Sequence, residues 1–327
     1  MEPLLPPPTL QPSQIGFLGI LVVSRHIVKA HYRHFSALAL LFLLPLAVSS
    51  TTYPYIYKLI FLLKLFQQNP PVFFPTILFL ILIYALFVLI FSLIAVSSVT
   101  YSVFHGFQGR PLKLKSAIKS ALTSFPRLLS TWLMVSGLFS VLVLIRFSLI
   151  KATQLLAFKF TYFPPQYIFM IIFVCIVTYL QLAPVVAIIE TSSWGLEPLK
   201  RSKYLVTGMK KVAFLMFLLY GFCFGTLLWL TAETWDFHYP SSDKYWFWVL
   251  YVVLGSACFM ACLVSYLVAI TVFYIYSKAI HGEHAEEIAA EYLRLPSDDG
   301  KVLFILLVSG WIPYQFQLIL NLFGLVF

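Results

Sequence analysis

The chain has 327 residues, of which 61% are hydrophobic, 18% are aromatic and only 10% are charged, and its formal net charge is +10. Domains that fold in water are about 45–50% apolar and about 25% charged, so this composition excludes a soluble protein. It indicates a polytopic membrane protein, in which the structural unit is a transmembrane helix of about 20 apolar residues.

The N-terminal segment 1–14, MEPLLPPPTLQPSQ, is rich in proline and has no basic stretch before an apolar one. We therefore expect a disordered tail rather than a cleavable signal sequence. Apolar runs in the following segment, 15–277, predict six spans: 35–52, 74–101, 128–150, 166–189, 212–232 and 246–277. The runs are continuous rather than alternating, and an open sheet would leave its backbone unpaired in lipid, so we expect an all-α membrane bundle.

Two segments follow the sixth predicted span. Residues 278–301 contain several glutamates and predict a cytosolic acidic segment. Residues 302–327 are apolar but include Gly310, Pro313 and Asn321. This C-terminal segment is compatible with a seventh span, with a helix at the membrane interface or with a less regular end.

Lysine and arginine are much more frequent on one side of the predicted spans than on the other. The segments before the first span, at 103–127, at 190–211 and at 278–301 contain most of these residues. The positive-inside rule therefore predicts a cytosolic N-terminus and cytosolic locations for these segments. The endoplasmic reticulum is the expected compartment and the plasma membrane the second choice.

An internal repeat is suggested by the basic segments. The tripeptide Pro-Leu-Lys occurs at Pro111 and again at Pro198, each time before a pair of spans, and the first pair also follows a basic segment at 22–35. We interpret the chain as three copies of one unit, namely a basic surface helix, a span, a turn with proline and aromatic residues, and a longer span.

The basic segments predict amphipathic helices. In 111–127 the apolar residues recur with helical spacing: Leu114, Ala117, Ile118, Ala121, Leu122 and Phe125. In 196–209 the corresponding stripe is less regular: Leu199, Ser202, Val206 and Met209. Such helices can lie at the interface with their cations towards anionic headgroups, or they can be ordinary positive-inside loops that are helical. The residues expected to contact headgroups are Lys113, Lys115, Lys119, Lys200, Arg201, Lys203, Lys210 and Lys211.

One stretch resembles a known membrane domain. The stretch is LAPVVAIIETSSWGLEPLKRSKYLVTGMKKVAF, in which Ala183-Pro184 lies in a span and Glu190 follows at its end. Gly195 precedes a basic helix that contains Ser202, and Gly208 comes before the next span. This pattern resembles the membrane domain of glycerophosphoryl diester phosphodiesterases, and the wider chain looks like an uncharacterised plant family of six-span proteins. The family's phosphodiesterase activity resides in a separate soluble domain, so the resemblance implies no catalytic residues here.

Within the spans, few residues suggest chemistry. Arg146 and Glu190 are the ionisable residues closest to a buried position, Pro184 is expected to loosen its helix, and the small-residue pair Gly221 and Gly225 is expected to allow close helix packing. The four cysteines all fall in predicted spans, where they act as small apolar residues. We expect no catalytic, metal or cofactor site.

Three functional classes remain open. The first is a non-enzymatic endomembrane protein that binds anionic lipid through its basic helices and scaffolds membranes, shapes them or assists other membrane proteins. The second is a transporter or channel for an apolar or lipid-like solute. The third is a lipid enzyme using scattered residues such as His26, His31, His34, Glu190, His281 and His284. We expect membrane lipids, and other membrane proteins, as partners and no nucleic acid.

Overall fold

The computed structural model describes residues 16–53, 70–107, 114–155, 163–190, 193–233 and 245–283, and these segments contain helices and no strand. The predicted tail 1–14, the segment 302–327 and most of 278–301 lie outside the described residues. The helices are α1 (Phe17–Ala30), α2 (Tyr32–Tyr53), α3 (Pro70–Phe107), α4 (Leu114–Leu155), α5 (Phe163–Leu180), α6 (Ala183–Ile189), α7 (Glu197–Thr207), α8 (Lys210–Glu233) and α9 (Tyr245–Ile280). The all-α prediction is confirmed.

Six helical segments are long and apolar enough to cross a membrane, as predicted. They are Tyr32–Tyr53, Ile77–Phe107, Leu114–Lys151, Phe169–Ile189, Lys210–Leu230 and Val249–Ile280. The chain is therefore an integral membrane protein. The fourth span consists of α5 and α6, which are separated by a turn at Gln181 and Leu182. Pro184 lies in the first turn of α6, where its missing N–H leaves no backbone bond unmade, so the expected loosening of this helix is observed.

The described helices follow the order of the three predicted units. A short break at His31 separates α1 from α2, and a turn at Gly208 and Met209 separates α7 from α8. In the second unit, by contrast, the basic segment and the span form one helix of 42 residues, α4. At 1.5 Å per residue such a helix is about 63 Å long, roughly twice the thickness of the hydrocarbon core of a bilayer. Part of α4 must therefore project beyond the hydrocarbon.

The centre of the bundle is the C-terminal half of α9. It packs against α1, α2, α3, α6, α7 and α8. Its fully buried side chains include large aromatic ones, among them Phe273, Tyr274 and Tyr276. Because this stretch is surrounded on all sides, α9 is apolar around its whole circumference rather than along one stripe.

Burial divides the bundle into two ends. We call the end formed by α1, the start of α4, α7 and the turn at 281–283 the basic end, and the opposite end the distal end. Buried residues concentrate towards the basic end. Towards the distal end, the side chains at 78–83 of α3 and at 143–149 of α4 are exposed on every face of the helix. These turns have few neighbours among the described residues, and they are apolar except for Arg146, which is exposed rather than near a buried position and lies 5.6 Å from the ring of Phe169.

The closest approach at a described glycine lies in the turn between α7 and α8. A Cβ atom on Gly208 would lie 2.9 Å from His281 Cε1 and 3.3 Å from Ile280 Cγ2, whereas one on Gly221 or Gly225 would meet nothing within 4 Å. The expectation of close packing at Gly221 and Gly225 is therefore wrong. Both glycines lie in the part of α8 that faces outward, and the tight contact is with the end of α9 instead.

Replacement of Gly208 by alanine should lower thermal stability, because the His281 ring is held by its neighbours and cannot move freely. A loss of about 1–3 kcal/mol is typical of overpacking. The matched control, Gly221→Ala, should be neutral or stabilising by up to about 1 kcal/mol, as for a glycine within a helix. Thermal unfolding of the purified protein in detergent measures both effects, and equal melting temperatures for the two variants would contradict the assigned contact.

Candidate functional site at the basic end of the bundle

The predicted headgroup residues occupy two kinds of position. Six lysines are exposed: Lys115, Lys119, Lys200, Lys203, Lys210 and Lys211. We call these six the lysine rim. Lys113 lies outside the described residues. Arg201 differs from the rim because its guanidinium is partly buried and engaged in ion pairs within the protein.

The start of α4 presents the rim lysines by burying a face of small side chains. The buried positions are Ala117, Ala121 and Ser124, followed by Leu128, and α4 packs against α3 and α6. Leu122, which belongs to the predicted apolar stripe, is 62% exposed. Small side chains let two helix backbones approach closely in a membrane protein, and this explains why they form the contact and the bulkier Leu122 does not.

The helix α7 uses the predicted stripe. Ser202, Val206 and Met209 are buried. The Ser202 hydroxyl donates to the Tyr179 carbonyl at 2.6 Å, which satisfies a carbonyl in the last turn of α5. Gln181, in the turn before α6, donates from Nε2 to the Ala213 carbonyl at 3.1 Å. These two bonds connect the interrupted fourth span to α7 and α8.

Glu190, directly after α6, is the acceptor around which the basic end is organised. Its Oε1 atom accepts from the Tyr274 hydroxyl at 3.0 Å and from Arg201 Nε at 3.3 Å, and Lys278 Nζ lies 3.8 Å away. Its backbone carbonyl accepts from Ser193 Oγ at 2.9 Å. The carboxylate thus joins the end of the fourth span, α7 and α9.

Glu283 completes the network from the other side of Arg201. Nη2 of Arg201 lies 2.5 and 2.6 Å from the two carboxylate oxygens, and Lys278 Nζ lies 3.5 Å from Oε2. Partial burial works against ionisation of Glu283, but the hydrogen bond from Arg201 and the charges of Arg201 and Lys278 outweigh it. The pKa of this carboxyl therefore lies below its usual value.

The sequence drew attention to Glu190 and Arg201 separately, but the other members of the network were missed. These are Tyr274, Lys278 and Glu283, which the fold brings to the same place from the end of α9. The sequence did contain a signal for this network. Residues of opposite charge follow two different spans, Glu190 and Arg201 after the fourth and Lys278 and Glu283 after the sixth. Charges of opposite sign at a shared membrane boundary favour pairing.

The histidines that the structure describes do not converge on one site. His34 Nε2 donates to Ser102 Oγ at 2.9 Å, because the Ser102 hydroxyl itself donates to the Ser98 carbonyl. His281 Nδ1 donates to the Ser277 carbonyl at 2.8 Å, and its ring packs on Tyr204 with centroids 4.5 Å apart. His284 lies outside the described residues. In the parts of the chain that the structure describes, no group of three or more His, Cys, Asp or Glu side chains could hold a metal ion.

The chain belongs to the family described as Domain of unknown function (DUF8558). The family model matches residues 73–294. No curated protein and no solved structure has a significant match to the chain. The resemblance to the membrane domain of glycerophosphoryl diester phosphodiesterases therefore stays a prediction.

The matched range covers most of the described bundle. It begins within α3 and ends beyond α9, so it includes the whole network around Glu190 and the whole lysine rim, whereas α1 and α2 precede it. The family assignment brings no activity with it. The function must therefore be argued from the geometry of the basic end.

Replacement of Glu190 by glutamine should destabilise the bundle, because Arg201 and Lys278 would lose the carboxylate that they share. We expect a loss of about 1–3 kcal/mol, the range for leaving partly buried polar groups without a partner. The measurement is thermal unfolding of the detergent-solubilised protein, followed by tryptophan fluorescence.

The exposed residue Glu197 provides the matched control. Glu197→Gln removes the same charge from the first turn of α7 but leaves the network intact, so its effect should be a few tenths of a kcal/mol at most. If the two glutamine variants had the same melting temperature, the network would not be a stabilising element.

Proposed function

We propose that this protein is a non-enzymatic membrane protein whose basic end binds anionic headgroups in the cytosolic leaflet, and that it acts as a scaffold or membrane-shaping element. The supporting observation is the position of the lysine rim. All six lysines point away from the packed bundle, on helices whose opposite faces are buried. Among the described residues, none of the six forms an ion pair, although other cations at the same end are paired.

The position of the basic end along the helices supports contact with headgroups. The wholly apolar turns at 78–83 are suited to hydrocarbon, and α3 continues from Ile83 to Phe107, about 36 Å or slightly more than one hydrocarbon core, towards the basic end. We therefore propose that the lysine rim lies at the level of lipid headgroups. Each lysine near an anionic membrane surface contributes about 1 kcal/mol of attraction, and its long aliphatic chain allows the ammonium to reach the headgroups.

We further propose that the compartment is the endoplasmic reticulum, with the plasma membrane second, and that the N-terminus is cytosolic. The positive-inside distribution supports this orientation. Other membrane proteins are the proposed additional partners, because the exposed apolar turns of α3 and α4 offer them surfaces within the bilayer.

Neutralising four lysines of the rim tests this proposal. The combined variant Lys115→Gln, Lys119→Gln, Lys200→Gln and Lys203→Gln should bind phosphatidylserine less tightly by up to about 4 kcal/mol, taking about 1 kcal/mol for each charge. The readout is the affinity of the purified protein for fluorescent phosphatidylserine in mixed micelles, with phosphatidylcholine as the neutral reference.

Lys151 supplies the control, since it is exposed near the distal end of α4. Lys151→Gln should leave phosphatidylserine binding at the basic end almost unchanged. An unchanged affinity in the fourfold variant would refute headgroup binding by the rim. A uniform loss with both lipids would indicate damage to the fold instead.

A second candidate, a transporter or channel for an apolar or lipid-like solute, is supported by the distal end. There the turns at 78–83 of α3 and 143–149 of α4 are exposed on every face, which would let lipid enter between helices. A channel for ions is disfavoured by the scarcity of charged residues in the spans. Flux of a dye-labelled lipid between the leaflets of reconstituted liposomes would support this candidate, and an intact barrier would eliminate it.

A further inference from the structure

We propose that Arg201 and Lys278 form a binding site for the phosphate group of one anionic phospholipid, and that Glu283 occupies this site when the lipid is absent. The inference rests on the proposed function, which brings the basic end to the headgroups. It adds one defined site to the diffuse attraction of the lysine rim, together with an internal competitor for that site.

The first observation is the arrangement of the Glu283 carboxylate. Its two oxygens lie 2.5 and 2.6 Å from Arg201 Nη2, and one of them also lies 3.5 Å from Lys278 Nζ. Proteins hold a phosphate group in the same way, with its anionic oxygens facing a guanidinium and an ammonium. The carboxylate therefore has the same chemical partners that a lipid phosphate would have.

The second observation is that the two cations do not depend on Glu283 for their positions. Glu190 contacts Arg201 through Nε and lies near Lys278, and it is itself held by the Tyr274 hydroxyl. The aromatic rings of Tyr204 and Tyr274 lie 5.4 and 5.9 Å from the two cationic groups. With Glu283 displaced, two cations would face a single carboxylate, which leaves one positive charge to be balanced.

The third observation is that Glu283 can release its side chain without unwinding α9. Its N–H donates to the Lys278 carbonyl at 3.1 Å, and the Gly282 N–H donates to the Ala279 carbonyl at 3.0 Å. Gly282 has φ +80, so this is the glycine-containing turn that ends many helices. The backbone is thus fixed by its own bonds, while the Glu283 side chain is 35% exposed.

Glu283 therefore acts as a competitor whose departure costs one ion pair. The apparent affinity of the site for a phosphate is reduced by the fraction of time that the carboxylate occupies it. Removing the carboxylate should raise the affinity, in contrast with the usual loss of binding on mutation. A merely structural salt bridge would not give this result.

The test is native mass spectrometry of the full-length protein in detergent, titrated with phosphatidic acid. Glu283→Gln should bind the first phosphatidic acid about fivefold more tightly than the unchanged protein, the factor expected for about 1 kcal/mol. Glu283→Ala should show the same gain and guards against a specific effect of the amide. Glu197→Gln removes an equal charge outside the site and should give a clearly smaller change.

Two further arms, and the comparison with Glu197→Gln, can overturn the proposal. In the Glu283→Gln background, Lys278→Gln should remove most of the gain, and a retained gain would place the lipid elsewhere. Inorganic phosphate that abolished the gain at the concentration of the lipid would overturn the assignment to a lipid. Equal gains for Glu283→Gln and Glu197→Gln would overturn the competitor role. This last result would leave headgroup binding by the rim untouched, because that depends on the fourfold lysine variant.

Discussion

The organisation of the basic end depends on one constraint, the need to compensate the Glu190 carboxylate where the fourth span ends. A carboxylate that leaves water without partners costs several kcal/mol, so it is stable there only with donors around it. Tyr274, Arg201 and Lys278 provide them. These contacts fix α7 against α9. The same fixation brings the turn at Gly208 so close to His281 that a side chain would not fit.

The difference between the two ends follows from the solvent around each. In hydrocarbon, helices gain little apolar driving force from touching each other, since lipid tails are as apolar as their side chains. The turns at 78–83 and 143–149 can therefore separate at low cost. Towards the basic end, small and polar side chains such as Ala117, Ser202 and Gln181 make specific contacts. Packing at that end is correspondingly dense.

The sequence predicted the six spans and the loosening near Pro184, because each depends on local pattern. It failed where the pattern is locally ambiguous. In 111–127 the periodicity left open which apolar residues meet protein, since Ala121 and Leu122 are both apolar but only Ala121 is buried. Gly221 and Gly225 have the four-residue spacing of a helix-packing motif. Such a motif acts only where another helix lies against it, and local sequence does not show whether one does. The pairing of Glu190 with residues of α9 is likewise a product of the tertiary fold.

Adjacent cations in α7 show why charge counting alone cannot assign function. Lys200 and Arg201 contribute equally to a positive-inside bias, yet one is exposed and the other joins two carboxylates. Arginine suits the second role, because its planar group can serve two acceptors at once and is more weakly hydrated than an ammonium. Lysine suits the first, since its ammonium keeps its water and moves on a flexible chain. In the proposed function, the rim lysines exchange lipids, while Arg201 stays joined to Glu190 and so keeps α7 in place.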